Sequence, residues 1–201
     1  MEEEECNRRF KGHGERQQEI QGHVKRLHLL VTEDYCCLLY MPQAALPVLT
    51  VDGKMIPQSG AIHRYLARKL GLYGSTNEEM TINDIVMETA NDVRNALVKM
   101  HFEQNDTQKA ELLKTVKEQT IPAFVKHMET LLCENDSGGG FFVGSKITVG
   151  DLAVLDLMDI ILDVILPTAL DHSEKLKAHR ARVSNSPRIK TWLETRPTTA
   201  M

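Results

Sequence analysis

Four residues in the first half of the chain could together hold a peptide-like ligand. Leu46 and Pro47 open the apolar segment 46–51, and Gln58 and Ser59 stand at the start of a helical pattern. A cis bond before Pro47 would turn the N–H and C=O of Leu46 outward, where a ligand's main chain can pair with them as an added strand. A ligand carboxylate beside Ser59 would meet free backbone amides, the positive end of the helix dipole and a hydroxyl donor. Gln58 adds a side-chain amide that both donates and accepts hydrogen bonds.

Each candidate residue also has a purely structural explanation. Ser59 could be only a helix cap, and Pro47 could be an edge-strand proline with a trans bond. Asp92 lies on a later helical stripe and would by default be a solvated carboxylate. Thr148 and Asp151 form a capping-box pattern, which predicts a structural role because the box satisfies the free amides at the start of a helix.

The elements that must position these residues are predicted from hydrophobic periodicity. Asp52-Gly53 between two apolar segments is a strong hairpin signal, so residues 46–51 and 54–56 are predicted to be paired strands. A helix is predicted from Ser59 until Gly71 stops it. Further upstream, four apolar residues at spacings of four, three and four predict an amphipathic helix. They are Ile20, Val24, Leu27 and Val31.

After Gly74 the periodicity is helical to the end of the chain. One apolar stripe predicts a long helix, and it comprises Ile82, Ile85, Val86, Val93, Leu97 and Met100. A second stripe predicts a helix with a kink at Pro122, and it comprises Leu113, Val116, Phe124, Val125, Met128 and Leu132. The run 152–166 is apolar on nearly every side, so it is expected at a core centre. Two short helices near residues 174–183 and 187–195 are predicted to finish the chain.

The composition excludes some classes of partner. The chain has 201 residues and a formal net charge of -4, so attraction to nucleic acid or to an anionic membrane is not expected. No apolar run reaches the roughly 18 residues of a membrane span. Met1 is followed by four glutamates rather than by the basic start of a leader. These features predict a cytoplasmic protein with neither nucleic acid nor a membrane among its partners.

The four cysteines are expected to be reduced, partly buried thiols. Cys6, Cys36, Cys37 and Cys133 show neither a CxxC motif nor the spacing of metal ligands. No metal is therefore predicted.

Three separated blocks of the sequence resemble one family. Residues 46–79, LPVLTVDGKMIPQSGAIHRYLARKLGLYGSTNEE, are similar to the glutathione-site half of the sigma-class glutathione transferases. That class includes haematopoietic prostaglandin D synthase and the S-crystallins of cephalopod lenses. Residues 141–159, FFVGSKITVGDLAVLDLMD, resemble the central helix of the helical domain in this class, and residues 186–201, SPRIKTWLETRPTTAM, resemble its C-terminus.

The resemblance implies the fold class of a glutathione transferase. A thioredoxin-like α/β domain is expected at residues 1–73, with or without its first strand, and an all-helical domain at residues 77–201. Glutathione is implied as the co-substrate, together with a small hydrophobic electrophile. A homodimer is implied as well.

The resemblance also implies a set of glutathione-binding residues. Ala44, Ala45 and Leu46 would line the glutathione backbone, and Leu46 would pair with its cysteinyl part beside a cis Pro47. Gln58 and Ser59 would hold the γ-glutamyl carboxylate, and Asp92 would reach the γ-glutamyl amino group of the partner's ligand across the dimer. The implied set is Ala44, Ala45, Leu46, Pro47, Gln58, Ser59 and Asp92.

The sequence departs from the family pattern at the N-terminus. The family's first strand ends in a Tyr-Phe pair whose tyrosine stabilises the glutathione thiolate, and a glycine-rich turn with two arginines follows. Here Arg9 stands in the place of the tyrosine, and His13 and Glu15 stand in the places of the two arginines. A thiol with an ordinary pKa of about 8.5 is mostly protonated at pH 7. No catalytic residue is therefore assigned, although Arg9 could substitute electrostatically.

Two functions remain open on the sequence. The first is a glutathione transferase that conjugates glutathione to small electrophiles or isomerises substrates of the prostaglandin H type, with reduced activity. The second is a non-catalytic relative, either a glutathione-binding protein or a crystallin-like structural protein. The electrophilic substrate cannot be read from the sequence, because the second-substrate pocket of the family is built from scattered apolar side chains.

Overall fold

The computed structural model describes residues 27–30 and 46–197. These residues fall into two compact units, with the division between Lys69 and Leu70. The described part of the first unit holds a three-stranded sheet and a helix, and the second unit is built of helices.

The sheet of the first unit is antiparallel and has the order β1-β2-β3. Its strands are β1 (Leu27–Leu30), β2 (Val48–Val51) and β3 (Lys54–Pro57). The hairpin between β2 and β3 is confirmed, with positive φ angles of 48° at Asp52 and 79° at Gly53. This is the conformation that a two-residue turn requires and that an Asp-Gly pair adopts readily. Helix α1 (Ser59–Leu70) follows and ends before Gly71, which has a φ of 68°.

The small core of the first unit lies between the sheet and α1. Leu49 and Val51 of β2 and Ile62 of α1 are buried against one another. Partly buried side chains pack around these three, and they are Ile56, Tyr65 and Leu66. Alternate residues of β2 therefore supply the sheet side of the core, as the two-residue period of a strand requires.

Strand β1 corrects one expectation from the sequence. Leu27 was assigned to an amphipathic helix, but Leu27–Leu30 pair with β2, from Leu27 opposite Val51 to Leu30 opposite Val48. A short apolar run is ambiguous between helix and strand, and here the backbone hydrogen bonds of a neighbouring strand decide the conformation. Ile20, Val24 and Val31, the other members of that stripe, lie outside the described residues.

The second unit contains six helices within the described residues, joined in part by short π and 3₁₀ turns. The helices are α2 (Asn77–Phe102), α3 (Asp106–Thr115), α4 (Ile121–Glu134), α5 (Val149–Ile160), α6 (Glu174–Ser184) and α7 (Pro187–Thr195). The π turns are Val116–Thr120 and Ile161–Ile165, and the 3₁₀ turn is Asp136–Gly138. None of the described helices combines the length and the apolar character that crossing a membrane requires.

The long helix α2 is confirmed, but one member of its predicted stripe is misplaced. Val86, Val93, Leu97 and Met100 are buried in the core of the second unit, whereas Ile85 is 42% exposed. Successive helical residues are rotated by about 100°. Because Val86 points at the centre of the core, the preceding residue must lie at the flank of the helix.

The predicted helix around Pro122 is interrupted by a π turn just before the proline. Helix α3 passes into the π turn Val116–Thr120, and the amide of Ile121 donates to the carbonyl of Val116 before α4 continues with Pro122 in its first turn. Proline has no amide hydrogen, so the first turn of a helix tolerates it while an interior position does not.

A buried carboxylate organises the start of α5. Asp151 is fully buried, and its Oδ2 accepts hydrogen bonds from the amide of Thr148 at 2.7 Å and from the hydroxyl of Thr148 at 2.8 Å. Its Oδ1 lies 3.0 Å from the amide nitrogen of Phe142 and 2.7 Å from Nε2 of the buried His179 on α6. The predicted capping box is therefore present. It also ties the loop before α5 and helix α6 to the same side chain.

Helix α5 approaches α2 closely at Gly150. The amide of Gly150 donates to Oδ1 of the buried Asn83 at 3.0 Å, and Nδ2 of Asn83 donates to the carbonyl of Tyr73 at 3.0 Å. A Cβ atom on residue 150 would lie 2.8 Å from Oδ1 of Asn83. Only glycine therefore lets the two helices reach this distance, and the apolar side chains of α5 fill the core around them.

We expect Asp151→Ala to lower the free energy of unfolding by about 3 to 5 kcal/mol, because it leaves buried donors without an acceptor. Asp156→Ala is the matched control, since Asp156 lies on the same helix but its carboxylate is exposed and paired with Arg94. Its loss should cost less than about 1 kcal/mol. Urea denaturation of the two variants measures the difference, and equal losses would contradict the role given to Asp151.

Candidate functional site

The strand register brings four of the predicted site residues to one end of the sheet. Val48 lies opposite Pro57, so the residues just before β2 and just after β3 are neighbours. Leu46 and Pro47 therefore lie at the same end as Gln58 and Ser59, although about ten residues separate the two pairs along the chain. The carboxyl end of β1 reaches this end too, because Leu30 also lies opposite Val48.

The turn from β3 into α1 exposes a helix N-terminus. Gln58 has a φ of 73°, and its carbonyl accepts the hydrogen bond of the Ile62 amide at 2.9 Å. Ser59 is thus the first helical residue rather than the cap, and both Gln58 and Ser59 are exposed. The amides of a first helical turn have no acceptor within the helix. They point towards the end of the sheet at which α1 begins.

No acidic residue of α1 offsets the positive end of its helix dipole. The first turn of α1 contains no acidic residue, and Arg68 and Lys69 lie in its last turn. Helix α2 shows the opposite arrangement, with Glu78 and Glu79 in its first turn. There, hydrogen bonds from its own amide and from Thr76 lower the pKa of Glu78. The N-terminus of α1 has no such carboxylate in its first turn, so an external carboxylate can take that place.

Pro47 shows the predicted conformation. The peptide bond between Leu46 and Pro47 is cis, and both residues are partly buried at the start of β2.

Of the remaining predicted residues, Asp92 lies in the second unit and the two alanines lie outside the described residues. Asp92 is an exposed residue of α2 in the second unit. Ala44 and Ala45 lie outside the described residues, as do Arg9, His13 and Glu15, which stand at the divergent end of the family motif. Cys133 is free and partly buried, and it accepts a hydrogen bond from Nζ of Lys175 at 3.0 Å, which raises the pKa of that lysine.

Strand β1 is the contributor to this end of the sheet that the sequence did not reveal. Its residues, Leu-His-Leu-Leu, carry an apolar run too short to separate strand from helix. The hairpin of β2 and β3 was the available signal for β1. A two-stranded hairpin alone is only marginally stable, so the free edge of β2 needs another strand.

Comparisons with known proteins give the chain a family. Residues 91–196 match the family described as glutathione S-transferase, C-terminal domain. Glutathione S-transferase 3 of Caenorhabditis elegans is 32% identical over 162 residues, which cover 79% of this chain and 77% of the relative. The chain belongs to the glutathione S-transferase family.

Solved structures of this family share the fold. A Nu-class glutathione S-transferase from Haemonchus contortus is 34% identical, with a TM-score of 0.70 over 82% of this chain and 79% of that one. Rat hPGDS, solved with a quinoline, is 27% identical, with a TM-score of 0.75 over 87% of this chain and 85% of that one. The predicted fold class, a thioredoxin-like domain followed by a helical domain, is confirmed.

Membership of this family also shows the general function, that of a glutathione transferase. Its members among the relatives are glutathione S-transferases, so the prediction of a glutathione transferase enzyme is confirmed at that level. Within the described residues, no group of three or more histidine, cysteine, aspartate or glutamate side chains is arranged to hold a metal ion.

We expect Gly53→Ala to lower the free energy of unfolding by about 1 kcal/mol, because alanine is strained at a φ of 79° while its methyl group meets open space. Gly60→Ala is the control. Gly60 lies in the first turn of α1, and an added Cβ there meets only the flexible end of Arg64 at 3.1 Å. Alanine favours helix, so this variant should be at least as stable as the parent in thermal unfolding. A stable Gly53→Ala variant would argue against the hairpin geometry.

Proposed function

We propose that this glutathione S-transferase binds glutathione at the end of the sheet where Leu46, Pro47, Gln58 and Ser59 meet. The observation that carries the proposal is the pairing of Val48 with Pro57, which brings the two pairs of residues together. The γ-glutamyl carboxylate lies against the N-terminus of α1, and the cysteinyl part pairs with the backbone of Leu46. The resemblance to the sigma class adds Ala44 and Ala45, which lie outside the described residues, as further glutathione-binding residues.

The anion site at α1 supports this assignment on physical grounds. A carboxylate there accepts hydrogen bonds from first-turn amides and from the Ser59 hydroxyl, and it meets a helix end with no acidic residue of its own. A charge-assisted hydrogen bond contributes about 1.5 to 3 kcal/mol. The exposed side chain of Gln58 contributes a further donor and acceptor beside it.

We assign the chain to the sigma class as the finer proposal. Three sequence blocks resemble that class, and rat hPGDS is among the similar structures. Structures of other classes are also similar, the Nu-class protein among them, so the class rests on the motifs. The proposed chemistry is conjugation of glutathione to a small hydrophobic electrophile or isomerisation of a prostaglandin H-type substrate, in the cytoplasm.

The proposed activity is reduced, because the residue that should activate the glutathione thiol is replaced by Arg9 in the motif match. Removing one preorganised donor from an active site typically lowers the rate by a factor of about 100 or more. The alternative is a glutathione-binding or crystallin-like protein without catalysis. Glutathione binding is compatible with the transferase and with the non-catalytic alternative. Binding and turnover must therefore be measured separately.

A homodimer is the proposed assembly, with α2 facing the partner. Ile85, which is 42% exposed, and the exposed Asp92 are seven residues apart on α2, so they lie on the same side of the helix, which we propose meets the partner. Asp92 is exposed on the same helix, and we propose that it reaches the γ-glutamyl amino group of glutathione bound to the partner.

The first prediction from this proposal concerns Ser59. Ser59→Ala should weaken glutathione binding about tenfold in isothermal titration calorimetry, because one hydrogen bond to a charged carboxylate is lost. Ser75→Ala, which removes the hydroxyl of another exposed serine, is the control and should bind glutathione as the parent does. Equal affinities for the parent and Ser59→Ala would place the carboxylate elsewhere.

The second prediction concerns turnover. The unaltered protein should bind glutathione but conjugate an aryl halide at least about 100-fold more slowly than an ordinary transferase. Arg9→Tyr should raise the rate while leaving the affinity for glutathione unchanged. Turnover at ordinary transferase rates would mean that another residue activates the thiol, or that the match of Arg9 to the family motif is wrong.

The third prediction concerns assembly. Ile85→Glu should convert the dimer to a monomer in sedimentation velocity at micromolar concentration, because it places a charge in the proposed interface beside Asp92. Val164→Glu introduces the same charge at a residue that is 57% exposed on the π turn after α5. It should leave the dimer intact. A parent protein that is monomeric at this concentration would contradict the proposed use of α2.

A further inference from the structure

The charge of the chain is unevenly distributed. Residues 174–196, which form α6 and α7, contain seven lysine and arginine residues and two glutamates, giving a formal charge of +5. The whole chain carries -4, so the rest of it carries -9. The last two helices are therefore a cationic surface on an otherwise acidic protein, and such a surface attracts acidic partners.

Part of this positive charge is already neutralised within the protein. Arg180 holds Oδ1 of Asp159 through Nε at 3.0 Å and Nη2 at 2.6 Å, and Lys177 pairs with Glu174. Arg188 and Lys190 on α7 have no carboxylate within ion-pair distance among the described residues. Lys175 and Arg182 on α6 have none either, so uncompensated positive charge remains on both helices, with Arg188 as its exposed representative on α7.

The exposed side of α7 places an aromatic ring between two arginines. Arg188, Trp192 and Arg196 follow one another at four-residue intervals, and residues four apart lie on one side of a helix. Trp192 is 48% exposed, and Arg196 is 41% exposed where the helix ends, with its Nη2 3.6 Å from Oδ2 of Asp159. We refer to these three residues as the α7 stripe.

We propose that the α7 stripe is a docking surface for an acidic protein segment that carries an apolar side chain between two carboxylates. Arginine matches carboxylates with a planar, two-pronged donor, as Arg180 already does with Asp159. Tryptophan and arginine are the residue types that dominate the energetics of protein interfaces. The Trp192 ring contacts the apolar side chain, and the two arginines flank it.

The composition of the stripe favours a protein segment over a lipid surface. Insertion into a membrane interface requires an apolar face with several large side chains. Among the described residues, the other exposed large apolar side chains lie on other elements. They are Met55, Leu70, Ile85, Val98, Phe102 and Val164. The α7 stripe thus offers one aromatic contact and a paired arrangement of guanidinium groups.

Trp192 allows a direct test because it is the only tryptophan in the chain. The probe is a synthetic helical peptide with glutamate, leucine and glutamate at four-residue spacing, and the control peptide has lysine in place of both glutamates. The acidic peptide should shift and saturate the emission of Trp192, and 0.5 M salt should weaken its binding. The lysine peptide should not bind.

Single-residue variants distinguish binding through the α7 stripe from non-specific attraction by positive charge. Binding of the fluorescently labelled acidic peptide, followed by anisotropy, should weaken about fivefold in Arg188→Gln and about tenfold or more in Trp192→Ala. Lys114→Gln removes an exposed charge from α3 and should stay within about twofold of the parent. No saturable binding of the acidic peptide, equal binding of the lysine peptide, or an emission shift with phosphatidylserine vesicles but not with the peptide would overturn the proposal.

Discussion

The pairing of Val48 with Pro57 is the constraint on which the candidate site depends. It follows from a two-residue turn, since Asp52 and Gly53 both adopt positive φ and leave Val51 opposite Lys54. A slip of the register by one residue would turn Leu49 and Val51 out of the core. The burial of those side chains against α1 therefore fixes the same register that brings Leu46 and Pro47 to Gln58 and Ser59. The packing of this unit and the geometry of its proposed glutathione site therefore have one cause.

The helical unit depends on a different kind of interaction. Asp151 gathers hydrogen bonds from a loop, a helix start and the imidazole of His179 on one fully buried carboxylate. A buried charge is costly unless donors surround it. The same network that satisfies this carboxylate also holds α5 and α6 together, and the close approach at Gly150 adds α2. The unit thereby offers a rigid support from which α2 and α7 present their exposed sides.

The parts of this fold that the sequence predicted are those with local causes. The Asp-Gly turn, the start and end of α1, the stripe of α2 and the Thr148/Asp151 box are each specified by a few neighbouring residues, and all are present in the structure. Strand β1 was assigned to a helix because its conformation depends on a partner strand about 20 residues away. Ile85 was assigned to the core because a stripe defines a side of a helix only to within about one residue.

The candidate site likewise has one part that local sequence signals specify and one part that they do not. The anion end of the site follows from a hairpin and a helix start, which are local signals, so its residues could be named from the sequence. In the class that the sequence resembles, a tyrosine of the N-terminal strand activates the thiol, and neither spacing nor periodicity specifies a side chain for that role in this chain. The family relationship supplies the general function but not this group, because the motif match departs from the family at Arg9, His13 and Glu15.

We propose above all that glutathione binds where β2 begins and α1 begins. Nuclear magnetic resonance of the ¹⁵N-labelled protein, titrated with glutathione, tests it most directly because each backbone amide reports separately. We expect the largest amide shifts at Leu46, Ser59 and Gly60, and no shift of the amides around Asp151 in the helical core. Shifts confined to the helical unit, or none at millimolar glutathione, would contradict it.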